Sequence, residues 1–203
     1  MSRHLDAWPR GARDRLIQEA ARLMAEQGID DPLAARHKAA TRLGLTSARD
    51  LPGGDEIVTA LRDYLALFQA EPHKRRLLEL RQAALRTMRR LAPLAEVRLV
   101  GPVLEGTAVA ATPVTLHLLR VTAEEVAIGL LESRISYRES ARTVSYGPRD
   151  KREVPAFVLR VDGITVELLV FSPDAPRQAP LDPMTGRALA RAGDAAVARL
   201  LEE

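Results

Sequence analysis

Cysteine is absent from the 203 residues, which excludes disulfide frameworks, thiol catalysis, cysteine-ligated zinc and iron–sulfur clusters together. Aromatic residues make up 3% of the chain, too few to build a stacking platform for bases. Lysine is nearly missing, since Lys38, Lys74 and Lys151 are the whole set; arginine supplies the other basic side chains, and the formal net charge is +3. Such an arginine excess fits phosphate recognition or the codon bias of a bacterial-type genome. Long apolar runs are missing too. The longest stretch free of formal charge, Gly106 to Leu119, is short and broken by Thr and Pro, and the first residues lack the apolar core of a secretory signal. A cytoplasmic protein with no membrane partner is expected. No Gly-x-x-x-x-Gly-Lys-Ser/Thr and no Gly-x-Ser-x-Gly occurs, so P-loop ATP chemistry and a serine-hydrolase elbow have no residues here.

What is present is a chain with 46% apolar and 28% charged residues, long enough to bury a core and too apolar to be disordered. The first part reads as helices. Leu16, Ile17, Ala20, Leu23 and Met24 recur at helical spacing, which predicts a helix over 12–27 ending at Gly28. Asp31-Pro32 opens a second helix that Gly44 stops, because Pro at the first helical position loses no useful donor and Gly accepts a left-handed cap. After Pro52-Gly53-Gly54, a third helix from Asp55 to Gln69 carries Ile57, Val58, Leu61, Tyr64, Leu65 and Phe68 as an apolar stripe. A fourth, from Pro72 to Ala92, has a core face of Leu77, Leu80, Ala84, Met88 and Leu91.

Beyond Pro93 the period shortens to that of strands. Strands are predicted over 97–104, 114–120 and 135–146, with a Thr122-capped helix over 123–134. Runs 156–161 and 164–171 flank Asp162-Gly163, the dipeptide that satisfies a two-residue hairpin turn because both central residues need positive φ. A proline-rich loop over 172–186 and a terminal helix over 187–201 complete the reading. The fold class is therefore α+β: a helical module over 1–70, then an α+β core over 71–203 with a proline-rich extension.

The segment Val100-Gly101-Pro102-Val103-Leu104-Glu105-Gly106-Thr107-Ala108, followed by Thr112-Pro113-Val114-Thr115-Leu116-His117-Leu118, resembles the core of the polymerase-β-like nucleotidyltransferase superfamily. In that family a Gly ends the first strand, a second Gly stands in a Gly-Thr-Ala context, and the next strand carries Asp-hydrophobic-Asp. Gly101 and Gly106-Thr107-Ala108 match the glycine elements, which makes Gly101, Gly106 and Thr107 the nucleotide-binding candidates the resemblance implies. Pro113 and Thr115 stand where the two aspartates belong, and Pro102 replaces a small phosphate-contacting residue. The third family acid, on a later strand, is matched by Glu167. The resemblance covers roughly residues 75–171 and implies a nucleotidyltransferase-like mixed sheet with a degenerate active site: Pro cannot ligate, and a lone Thr hydroxyl is a poor ligand for a hard cation.

Strand alternation places Thr115 and His117 on one face, and Glu167 on a neighbouring strand would join them as the remaining catalytic candidates. A His–Glu pair moves protons or helps hold a metal, whereas its plain structural counterpart is a half-buried His117 hydrogen-bonded to Glu167. His4, His37 and His73 lie in separate segments without ligand spacing, so no metal site is expected. On the fourth helix Arg75, Glu79, Gln82, Arg86 and Arg89 share a face, which makes Arg75, Arg86 and Arg89 candidates for phosphate or nucleic-acid contact. Residues 34–45 look like the start of a helix-turn-helix. The Pro-Gly-Gly that follows and the acidic start Asp55-Glu56 argue against sequence-specific DNA binding.

Three functions stay open on these residues. The first is a non-catalytic nucleotidyltransferase-like protein that binds a nucleotide, RNA or protein partner and needs no cofactor. The second is an active nucleotidyltransferase with an atypical site, using magnesium through Glu167 with His117, Glu105 or Asp162. The third is a helical protein-interaction adaptor whose core is scaffold.

Overall fold

A computed structural model describes residues 11–45, 51–183 and 185–202. The fold is α+β, with helices first and a mixed sheet after them. The described residues fall into two units: one runs up to His73 and includes Val109–Ala111, and the other takes Lys74–Ala108 and everything from Thr112.

In the first unit, α1 (Ala12–Gln27), α2 (Pro32–Arg42) and α3 (Gly54–Phe68) bury Leu16, Leu23, Ala35, Ala39, Ile57 and Leu61 in one cluster that Val109 joins. The ends are set by the predicted chemistry. Asp31 accepts the Leu33 N–H at 2.8 Å, and Gly28 takes the left-handed cap with φ 67°. Glu56 accepts the Gly53 N–H at 2.8 Å and two bonds from Arg13 at 2.7 and 2.6 Å, which ties the start of α3 to the start of α1. Residues 46–50, in the connection weighed for a helix-turn-helix, lie outside the described residues.

In the second unit, α4 (Ala70–Leu91, from Lys74 onward) leads into β1 (Glu96–Val100), the one-turn α5 (Pro102–Glu105), β2 (Val114–Leu119), α6 (Ala123–Glu132), β3 (Tyr137–Gly147), β4 (Asp150–Val161), β5 (Ile164–Phe171) and α7 (Asp194–Arg199). The sheet order is β1-β2-β5-β4-β3; β2 and β5 run parallel and every other neighbouring pair is antiparallel. One face meets the helices: Leu99, Leu116, Leu118, Val166 and Leu168 pack with Leu80, Met88, Leu130 and Val197. The other face carries a small cluster of Val154, Leu169 and Phe171, against which Ala175 of the proline-rich segment packs. The Asp162-Gly163 turn has φ 51° and 81°, as a two-residue hairpin requires. Thr122 and Glu125 cap α6 reciprocally. No helix among the described residues is long and apolar enough to cross a membrane.

Three expectations need correction. The strand predicted over 97–104 stops at Val100, because Gly101 (φ 70°, ψ −156°) turns the chain and Pro102 starts α5. β4 begins at Asp150 rather than Ala156, since its first half pairs with β3 alone and bears the charged residues Lys151, Arg152 and Glu153. The terminal helix is only Asp194–Arg199: Ala192 instead exchanges backbone hydrogen bonds of 2.9 and 3.0 Å with Leu99 and so extends the β1 edge.

The φ/ψ pair of Gly101 is accessible almost only to glycine, although a Cβ there would meet nothing within 4 Å. Gly101→Ala is therefore expected to destabilise the protein by about 1–3 kcal/mol through backbone strain alone. Gly147→Ala, also sterically open but without a positive φ, is expected to cost clearly less, and urea unfolding of the two variants checks the difference.

Candidate functional site

With Leu116, Leu118, Val166 and Leu168 committed to the helices, alternation turns Thr115, His117 and Glu167 to the opposite face of the sheet. The register places Thr115 directly beside Glu167 on the parallel pair, with Val100 on its other side, and Arg98 beside His117. The three candidates read from the sequence thus share a face. Each is engaged differently.

Glu167 is 7% exposed, and its Oε1 accepts a 2.6 Å hydrogen bond from Nε of Arg142, a β3 residue that reaches across β4. A buried carboxylate needs such a partner, because desolvation penalises its charge. The expected His117–Glu167 hydrogen bond is not formed. His117, 1% exposed, accepts at Nδ1 a 3.2 Å hydrogen bond from Nε of Arg191, and its ring lies 4.6 Å from that of Phe171. Burial, with the Arg191 charge beside it, pushes the His117 pKa down to about 3, so the imidazole is neutral and Nδ1 is free to accept. The Arg191 guanidinium stands 5.4 Å over the Phe171 ring, and burial lowers its own pKa. Arg191 Nη2 and the Tyr146 hydroxyl are buried with no hydrogen-bond partner among the described residues, and burial raises the Tyr146 pKa.

Arg191 and Arg142 are the site residues that sequence reasoning missed. Arg191 fell inside a predicted helix, and nothing local marks the pairing of Ala192 with β1 that delivers it to the sheet. Arg142 shares the face of Glu167, but the three-strand register lines Glu167 up with Arg138 through Val158, so nothing in the pattern marks Arg142, four residues along, as the partner that reaches it.

Gly101 and Gly106, with φ 70° and 78°, bracket α5, and Thr107 is 5% exposed behind it, its N–H bonded to the Pro102 carbonyl at 2.9 Å. Arg81 of α4 holds this turn by donating to the carbonyls of Val103 at 3.2 Å and Leu104 at 3.4 Å, and to that of Leu200 at 3.2 Å. Of the other acids considered as ligands, Glu105 closes α5 and Asp162 pairs with Arg86 at 2.7 Å. Among the described residues no three His, Asp or Glu side chains gather into a set able to hold a metal ion. Of the α4 candidates, Arg86 lines a cavity of about 950 Å³ together with Arg90; Arg75 and Arg89 are exposed and do not line it.

Neutral burial of His117 has a definite pH signature. Its folded pKa of about 3 lies below its ordinary value of 6.5, so the folded state binds fewer protons than the unfolded state between those limits. The protein therefore loses stability as pH falls through that window, with a slope approaching about 1.4 kcal/mol per pH unit from this residue. In His117→Asn the amide oxygen replaces Nδ1 as acceptor for Arg191 without titrating. Denaturant unfolding of both proteins between pH 7 and about pH 4 is expected to show the wild type losing ground to the variant; parallel curves would refute the neutral, buried imidazole.

No protein-family model matches the chain, and no curated protein is similar to it.

Proposed function

We propose that the chain is a non-catalytic relative of the polymerase-β-like nucleotidyltransferases that binds the phosphates of a nucleotide or RNA. The observation that carries the reading is the state of Glu167: the one surviving acid is clamped by Arg142, and Thr115 stands beside it where a second acid belongs. The order of elements supports the relationship. A long helix precedes β1, a Gly-bounded turn follows it, β2 returns antiparallel, and the acid-bearing β5 pairs with β2.

The donor set does not fit the paired divalent metals on which that family's transfer depends. Pro113 offers no side-chain ligand, Thr115 offers a neutral hydroxyl, and the Glu167 carboxylate already balances a guanidinium. A metal ion at Glu167 would have to displace Arg142 and find its other ligands among backbone and water. No transfer step is therefore written through a metal.

A second reading, the protein-interaction adaptor, draws on Leu67 and Phe68 of α3, which are 76% and 70% exposed. Reciprocal pulldown from nuclease-treated lysate with a Leu67→Ser, Phe68→Ser variant tests that surface independently of any phosphate ligand.

The main reading predicts no transfer of label from any nucleoside triphosphate to RNA or protein acceptors, with magnesium or manganese present. Binding of nucleotide or RNA is expected to persist in a metal chelator, measured by isothermal titration. Metal-dependent transfer that Glu167→Gln abolishes would overturn it.

A further inference from the structure

The polar face of the sheet holds a cation that the fold around it does not balance. Arg191 is half-buried, and its Nε donates to the neutral Nδ1 of His117, an acceptor that carries no charge. It forms no ion pair with a carboxylate among the described residues. Other guanidiniums of this face differ in that respect. Arg98 donates to Glu96 at 2.5 Å, Arg152 to Asp150 at 2.8 and 3.1 Å, and Arg142 to Glu167 at 2.6 Å. Each of these has its counter-charge, and the charge of Arg191 is left over. A histidine or lysine meets that situation by losing its proton, whereas a guanidinium keeps it.

Hydrogen bonding is incomplete at the same place. Nη2 of Arg191 is buried with no partner among the described residues, and so is the hydroxyl of Tyr146, a residue 9% exposed. Strand alternation puts Tyr146 on this face after Arg142 and Val144, and the Arg152 guanidinium lies 5.3 Å over its ring. The Arg191 charge opposes the upward push of burial on the Tyr146 pKa, so the two groups are within electrostatic reach of each other. The cluster beside them is apolar: Val154, Leu169 and Phe171 are buried, Ala175 packs on them, and the Arg191 guanidinium stands over the Phe171 ring.

A water molecule would satisfy two such donors and leave the charge uncompensated. An anion answers both. The two polar atoms are closed off from solvent in an apolar setting, where a phosphate or sulfate would bring more oxygens than two donors can satisfy; a halide has no such set of acceptors to fill.

We infer that Arg191 Nη2 and the Tyr146 hydroxyl hold a halide ion, chloride in a physiological medium. The position gives that ion a structural task. The Leu181 N–H bonds to the Ser145 carbonyl of β3 at 2.6 Å, and Ala192 pairs with Leu99 of β1, so the segment that carries Arg191 is tied to both outer strands of the sheet. Chloride between Arg191 and Tyr146 adds a tie from this segment to the polar face. The inference does not rest on the binding of nucleotide or RNA phosphates, and either conclusion can fail without the other.

Crystals of the full chain grown in sodium bromide test the site directly, because bromide scatters anomalously and water does not. An anomalous peak within hydrogen-bonding reach of both Arg191 Nη2 and the Tyr146 hydroxyl is expected; water density there without such a peak would overturn the inference. In solution, replacing sodium gluconate by sodium chloride at constant ionic strength is expected to raise the melting temperature by about 2–4 °C and then to saturate, as one bound ion requires. Tyr146→Phe keeps the ring under Arg152 and removes one donor, so it should shift the chloride midpoint about tenfold upward. Arg191→Gln removes the charge and should abolish the response, while Arg89→Ala removes the same charge from an exposed position on α4 and should retain it. A wild-type response in both site variants, or equal stabilisation by gluconate and chloride, would also overturn the inference. Should Arg191→Gln fail to fold, the bromide map and Tyr146→Phe still decide it.

Discussion

The parallel pairing of β2 with β5 is the constraint from which the second unit follows. Two parallel strands cannot be joined by a tight turn, so the chain between Leu119 and Ile164 must cross over, and it does so through α6 and then through β3 and β4, which extend the sheet beyond β5. The pairing buries both strands against α4 and α6, which fixes Leu116, Leu118, Val166 and Leu168 inward and leaves no choice for Thr115, His117 and Glu167. A slip of one residue would carry a histidine and a glutamate into the helical core. The juxtaposition of Thr115 with Glu167 is thus a consequence of core packing, and it persists whatever the face above it is used for.

On that face, arginines engage the buried polar side chains. Glu167 is 7% exposed, and Arg142 pairs with it from a side chain that is itself 55% exposed, so the cation keeps much of its hydration while the carboxylate is largely removed from water. Arg191 does something different. It approaches His117 through Nε and lies over Phe171, and burial, with this cation beside it, keeps the imidazole neutral. Both arrangements consume the polar atoms of the face: the carboxylate is balanced and the histidine acceptor is occupied.

Local chemistry was legible in the sequence wherever it was complete within a few residues. Asp31-Pro32, Thr122 with Glu125, and Asp162-Gly163 each carry their partner nearby, and the structure uses each of them as a cap or turn. The helical stripes were equally plain. Long-range pairing was not. The first half of β4 is charged because it lies beyond the reach of β5, so it lacks the alternation that betrays a strand, while the alanines around Arg191 favour a helix that the open edge of β1 overrides. The fate of the site residues divides along the same line. That Thr115, His117 and Glu167 share a face followed from alternation, but their partners, Arg142 and Arg191, come from segments that only tertiary pairing brings in. Arg86 was visible on its helix, whereas the cavity it lines with Arg90 and Arg134 exists only once β4 and the end of α6 have been assembled beside α4.

Backbone strain by itself does not mark a functional arginine, and this chain supplies its own control. Arg120 is also left-handed, at φ 60°, where the chain leaves β2 for α6. Its N–H bonds to the Phe171 carbonyl at 2.9 Å, and its guanidinium stands 4.0 Å from Glu96. That conformation serves the crossover, and the side chain has an acid beside it. Arg134 meets the same steric penalty at a helix end where glycine would make the identical pair of backbone bonds, and its side chain has no acid within reach among the described residues. Local preference and tertiary packing are both silent on why an arginine should stand there.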